Sequence, residues 1–160
     1  MPWNGSGLYF YDEPNIDLSK LESVARRMVA YGCEILFVDY IQLVSYGPDS
    51  MPKAERVGEV SKSMKELARR LDIPVVVCSQ LNRQSVGRKP QKSDLSESSQ
   101  LEKDADGVIL IWHSEDDDKN EESFLVVDKN RDGGTGIVPV YFERKYLRFK
   151  QREKKEIETA

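Results

Sequence analysis

Two short all-apolar runs, Ile35-Leu36-Phe37-Val38 and Pro74-Val75-Val76-Val77-Cys78, bracket a long stretch of helical periodicity. Unbroken apolar runs of this length read as strands buried in a parallel sheet. Between them Val57, Val60, Ser61, Met64, Leu67, Ala68 and Leu71 share one face of a helix predicted from about Ala54 to Leu71. Strand, helix, strand is a βαβ unit, which implies a parallel sheet with covering helices. An earlier helix is marked by Leu21, Val24, Ala25, Met28 and Val29. Asp17 or Ser19 can cap it, Ser19 and Glu22 have capping-box spacing, and Gly32 marks its stop.

Beyond residue 81 the pattern changes. Residues 82–95 are polar, contain Gly87 and Pro90, and read as a surface loop. A short helix is predicted over Glu97 to Lys103. Strands are predicted over Val108 to Trp112, Phe124 to Asp128, Val138 to Phe142 and Tyr146 to Phe149, the last two as an antiparallel hairpin at the sheet edge. Leu8 to Tyr11 reads as one more short strand. A chain of 160 residues suffices for one compact domain with a real core, so residues 1–160 read as a single domain with flexible ends at 1–7 and 150–160.

Composition narrows the class. With 39% hydrophobic and 32% charged residues the chain is expected to be a soluble globular domain. No apolar run approaches the roughly 20 residues of a membrane span. Cys33 and Cys78 read as buried free thiols of a reducing compartment, and a lone His113 gives no support to a His-based zinc or triad site. The net charge of −4 argues against a simple cationic nucleic-acid module. The charge is unevenly placed, however. No acid falls between Asp72 and Asp94, where Arg83, Arg88, Lys89 and Lys92 lie, while Asp116 to Asp118, Glu121 and Glu122 form an acidic loop that reads as a solvated surface.

The candidate chemistry sits at strand ends. Asp39 ends the first apolar strand, where an aspartate of a nucleotide-hydrolysing α/β protein would meet Mg²⁺. Gln80 ends the second, offering a donor and an acceptor that could sense a terminal phosphate. Lys129 and Arg131 lie one residue apart at a later strand end, placed to project beyond the sheet. No G-x-x-x-x-G-K-[ST] phosphate loop occurs in the chain. Trp3-Asn4-Gly5-Ser6-Gly7 has no lysine and no preceding strand, and Gly133-Gly134-Thr135-Gly136 reads as a tight turn.

Four segments in order carry a resemblance: Val38-Asp39-Tyr40-Ile41-Gln42-Leu43; Ser79-Gln80-Leu81-Asn82-Arg83; Asp94-Leu95-Ser96-Glu97-Ser98 with Glu102-Lys103-Asp104-Ala105-Asp106; and Lys129-Asn130-Arg131-Asp132-Gly133. Over residues 8 to 149 the chain resembles the motor domain of DnaB-type replicative DNA helicases. The resemblance implies an α/β, RecA-like P-loop NTPase core with a mostly parallel sheet, truncated on its N-terminal side and closed by a C-terminal antiparallel hairpin. It implies ATP and Mg²⁺ as cofactors of the intact motor, with Asp39 holding Mg²⁺ through water and Gln80 facing the γ-phosphate. It implies that Lys129 and Arg131 reach the ATP site of the adjacent subunit, Arg131 as an arginine finger. Single-stranded DNA is the implied ligand of Arg83, Arg88, Lys89 and Lys92 and of a second loop with Glu97 and Ser98. That second loop departs from the family's Asp-x-Arg-Glu-Ser-Gly, since Ser96 and Ser99 stand where arginine and glycine are usual.

The implied partners are further copies of the chain in a hexamer, a primase and a helicase loader, in a bacterial or phage-encoded cytoplasmic setting. The phosphate loop and the water-activating glutamate of the family have no match here. The chain therefore reads as the C-terminal two-thirds of a motor, whether an excised piece, a truncated product or a half that pairs with another chain. It is expected to be inactive as an ATPase alone and to self-associate. Two other classes stay open: a RecA- or KaiC-like ATPase of recombination or regulation, and a non-enzymatic DNA-binding or assembly module.

Overall fold

The computed structural model describes residues 7–82, 89–95, 99–113 and 122–152. The chain divides into two compact units, Met1–Asn82 with Leu95–Ala105 and Arg83–Asp94 with Asp106–Ala160.

In the first unit, α1 (Leu18–Ala30) begins where Asp17 accepts the Lys20 backbone N–H at 2.9 Å and the Ser19 hydroxyl at 2.6 Å. The Ser19 bond, then the Lys20 bond, stabilise the Asp17 carboxylate and hold its pKa below the ordinary value. The helix stops at Tyr31, before Gly32 at φ +93°. Strand β1 (Leu36–Val38) pairs in parallel with β2 (Val75–Val77), Leu36 opposite Val75 and Val38 opposite Val77. Helix α2 (Lys53–Leu71) makes the crossover and ends where Asp72 turns left-handed at φ 53°. Its predicted stripe is the one that is buried: Val57, Val60, Met64 and Leu67 join Leu18, Leu21 and Ala25 of α1 and Val38 of β1 in one core. The short helix α3 (Ser99–Asp104) adds Leu101, and its Asp104 accepts the hydroxyl of buried Ser61 at 2.8 Å.

The unbroken apolar strands suggest burial on both faces; among the described residues one face is covered. Leu36, Val75 and Val77 pack on the helical core, whereas Phe37 and Val76, paired on the other face, are 63% and 41% exposed. Alternate strand residues point to opposite faces. The same alternation carries Cys78 outward, so its expected burial is not found; both cysteines are free thiols, Cys33 half-buried and Cys78 exposed. Leu8 to Tyr11 forms no strand, and Leu8, Phe10 and Tyr11 are exposed.

The second unit is an antiparallel sheet in the order β3 (Gly107–His113), β4 (Glu122–Asn130), β5 (Gly136–Glu143), β6 (Arg148–Gln151). Among the described strands the parallel pairing is that of β1 with β2, and antiparallel pairing extends beyond the expected terminal hairpin. Short connections return a strand beside its predecessor in the opposite sense, whereas parallel neighbours need a long crossover such as α2. Trp112 stacks on Phe124, with ring centroids 5.1 Å apart, and Phe142 on Phe149 at 4.7 Å. Val108, Leu110, Val126 and Val140 are buried, while Ile109 and Ile111 are exposed.

Candidate functional site

Asp39 and Gln80 follow β1 and β2 and are exposed at the carboxyl end of the parallel pair, the edge where open α/β sheets bind ligands. The backbone explains the placement of Asp39. In a regular parallel ladder one residue bonds to the two neighbours of its partner. Here Cys78 donates its N–H to the Val38 carbonyl at 2.9 Å and accepts the Ile41 N–H at 3.0 Å. Asp39 and Tyr40 together occupy the space of a single residue and are pushed out of the ladder. Ile41, 1% exposed, then plugs the chain back into the core and opens a 3₁₀ turn, Ile41–Leu43.

That turn carries Gln42, whose side-chain amide donates to the Ser79 hydroxyl at 3.0 Å in a partly buried bond. The Ser79 hydroxyl in turn points at the Gln80 carbonyl, at 3.4 Å. Gln42 Oε1 is buried and has no hydrogen-bond partner among the described residues.

Lys129 and Arg131 belong to the other unit. Lys129 lies inside β4, opposite Val108, and Arg131 is the first residue beyond the strand. Arg131 is held within its own chain: its N–H donates to the Asp106 carbonyl and its guanidinium to the Asp106 carboxylate, both at 2.9 Å. The hydrogen bond and then the charge of Asp106 keep the guanidinium pKa above its ordinary value. The pair is largely solvent-exposed, 64% for Arg131 and 54% for Asp106, so it is a weak restraint.

Of the basic loop, Lys89 and Lys92 are described; Arg83 and Arg88 lie outside the described residues, as do Glu97, Ser98 and the acidic segment Asp116 to Glu121. Lys92 opens a 3₁₀ turn, Lys92–Asp94, and its N–H donates to the Asp128 carboxylate at 2.7 Å. Asp94 is buried and accepts the Gln91 N–H at 2.8 Å. The loop's end is thereby fastened to β4 one residue before Lys129. Among the described residues no group of three or more His, Cys, Asp or Glu could hold a metal ion, and no helix is long and apolar enough to cross a membrane. His113 bonds Ser123 through Nδ1 and faces Arg144 through Nε2.

Sequence reasoning missed Gln42, Ser79, Asp106 and Asp128. The first three stand inside the quoted motifs, but no pattern in one sequence says which side chains touch across 37 or 25 residues.

The family described as "DnaB-like helicase C terminal domain" matches residues 3–151, across both units. The chain is 40% identical over 144 residues to the "Replicative DNA helicase DnaB" of Treponema pallidum (strain Nichols), covering 89% of the chain and 32% of that protein. It is 36% identical over 154 residues to its namesake from Leifsonia xyli subsp. xyli, covering 91% and 34%. It is 32% identical over 161 residues to "Replicative DNA helicase DnaC" of Bacillus subtilis (strain 168), covering 95% and 36%. The chain therefore spans about a third of the length of these bacterial relatives. Among solved structures it is similar to "The Structure Of A DnaB-Like Replicative Helicase And Its Interactions With Primase" (TM-score 0.81, 29% identity, 89% of this chain and 36% of that one). It is similar also to a second solved chain, described as an ATPase domain (TM-score 0.78, 28% identity, 86% and 52%). The fold class is the RecA-like one of these ATPase domains, as the motif order implied.

Proposed function

The chain belongs to the DnaB-like helicase C-terminal domain family, and we propose that it serves as part of an ATP-driven replicative DNA helicase motor. In this reading the motor works as a hexameric ring that moves on single-stranded DNA and unwinds the duplex. The observation that carries the proposal is the delivery of Asp39 and Gln80 to one carboxyl edge of a parallel strand pair, with Asp39 displaced from the ladder and backed by a packed core.

The residues fit one side of a Mg²⁺–nucleotide site. Asp39 offers two acceptor oxygens for waters of a hydrated Mg²⁺, and Gln80 offers a carboxamide able to meet a phosphate oxygen. Bound Mg²⁺–ATP would supply the transferable phosphoryl group. The side that grips phosphate has no match in this sequence, so the 160-residue chain alone is expected to show no Mg²⁺-dependent ATP turnover. Lys129 and Arg131 act in this proposal on the site of a neighbouring subunit, Arg131 donating hydrogen bonds to charge that develops in the transition state. Lys89 and Lys92, with Arg83 and Arg88, supply phosphate contacts to single-stranded DNA, and Glu97 and Ser98 belong to a second DNA loop. Primase and a helicase loader are the further partners, in a bacterial or phage cytoplasm.

A chimera tests the proposal. Residues 8–149 replace the matching segment of the Bacillus subtilis relative, and ATP hydrolysis and unwinding are measured. Activity that disappears with Asp39→Asn supports the reading. A folded hexameric chimera that binds ATP but never hydrolyses it, with or without DNA, refutes it.

A further inference from the structure

We propose that Gln42 is a positioning residue that couples the Asp39 turn to the strand end bearing Gln80, acting through the Ser79 hydroxyl. The inference deepens the proposed function and rests on it for its role in turnover. The two side chains are 37 residues apart and lie on the two elements that each present one candidate site residue. Gln42 donates to Ser79 Oγ at 3.0 Å, and Ser79 Oγ points on to the Gln80 carbonyl, so a row of amide, hydroxyl and carbonyl ends on the backbone of Gln80 itself. The Ser79 hydroxyl can donate to the Gln80 carbonyl while its lone pairs accept the Gln42 amide.

The cost of this arrangement argues that it is more than packing. With its amide committed to Ser79, Gln42 leaves Oε1 buried and without a partner among the described residues. A leucine or methionine of similar volume would fill the same space with no orphaned acceptor. Buried unsatisfied groups in native folds ask for an explanation. Here the amide supplies one: it is a side-chain link between two backbone segments otherwise tied, among the described residues, by the bonds of Cys78 and the β1–β2 ladder. Ile41, adjacent to Gln42, is locked in the core, so the Gln42 amide starts from a fixed backbone and holds the Ser79–Gln80 segment in register with the Asp39 turn.

The test uses the full chain and amide hydrogen exchange. Gln42→Leu and Ser79→Ala should each speed exchange at Ile41 and Cys78, whose N–H groups bond across the two segments, by about tenfold while the core amides of α2 stay unchanged. The double variant should add little to either single change, and Ser79→Thr, which keeps the hydroxyl, should restore the slow exchange. Unaltered exchange at Ile41 and Cys78, or equal acceleration at Val60 and Leu67, overturns the proposal, the latter because it reports lost global stability only. In the chimera, Gln42→Leu should lower kcat at least tenfold with KM for ATP unchanged, and a raised KM at constant kcat counts against it. If the unaltered chimera is inactive, the functional reading fails while the exchange result still decides the coupling.

Discussion

The end of the β1–β2 pair and the end of β4 both present candidate site residues, but they hold them in opposite ways. At β1–β2, Asp39 is placed by backbone bonds from Cys78, by Ile41 sunk in the core and by the Gln42–Ser79 bond. At β4, Arg131 is placed by one backbone bond and one exposed ion pair with Asp106. The first is rigid by construction, because moving it disturbs a close-packed interior. The second can be exchanged for another anion at little cost, because exposed ion pairs contribute little. A residue that serves its own subunit gains from fixed geometry. In the proposed function Arg131 serves a neighbour, and the exposed ion pair with Asp106 is a contact it can leave at little cost.

The largest expected effect separates catalysis from stability at β4. In the chimera Arg131→Ala should lower the rate of hydrolysis by about 10³–10⁵, with nucleotide affinity nearly unchanged. In the isolated chain the same change should leave the denaturant midpoint almost where it was, as expected of an exposed side chain. A loss of nucleotide affinity that matches the loss of rate would move Arg131 out of the proposed role.

The core beneath Asp39 should behave in the reverse sense. Leu67 is fully buried. Leu67→Ala in the chain should cost roughly 2–5 kcal/mol in denaturant unfolding. If it costs no more than Arg131→Ala, the contrast between a packed and a parked site collapses.

A smaller effect concerns DNA. Replacing Lys89 and Lys92 with alanine should weaken binding of single-stranded DNA to the chain alike for all sequences. It should also flatten the salt dependence, by about 0.7 in logarithmic slope for each phosphate no longer neutralised. Equal salt slopes before and after replacement remove this loop from the interface.

The smallest effect is a pH dependence outside both sites. Glu143 on β5 is held by Lys150 and then Arg148 from β6, which lowers its carboxyl pKa from the ordinary 4.5. A depressed folded-state pKa contributes stability above the unfolded value and loses it as pH falls through the folded value. Acid titration below about pH 4.5 should therefore loosen the β5–β6 hairpin, and Glu143→Gln should make it less sensitive to acid. Arg131 works in the other direction. A guanidinium is charged throughout the neutral range and Asp106 only raises its pKa further, so pH changes there should leave the Asp106 contact alone.

The sequence was legible where one local rule governed. The α2 stripe from Val57 to Leu67, the Asp17 cap and the βαβ unit follow from periodicity and capping chemistry, and the structure has them. The strand ends that carry Asp39 and Gln80 were legible for the same reason. What stayed hidden was non-local. Apolarity alone does not tell that Phe37 and Val76 face away from the helices, or that Cys78 follows them outward. Strands beyond residue 106 are apolar in the same manner whether they pair in parallel or antiparallel, so the size of the antiparallel sheet was underestimated. The bonds of Ser79 to Gln42, Asp106 to Arg131 and Asp128 to Lys92 are properties of the fold and not of any window of sequence.

The central claim is that Asp39 serves its own subunit and Arg131 its neighbour's. Mixing Asp39→Asn chimeras with Arg131→Ala chimeras, each inactive alone, tests it directly. A ring containing both kinds of subunit has interfaces at which an intact Asp39 faces an intact Arg131. The account predicts that hydrolysis returns on mixing, passes through a maximum near equal proportions and vanishes at either extreme. Mixed rings that assemble yet stay inactive at every ratio would contradict it.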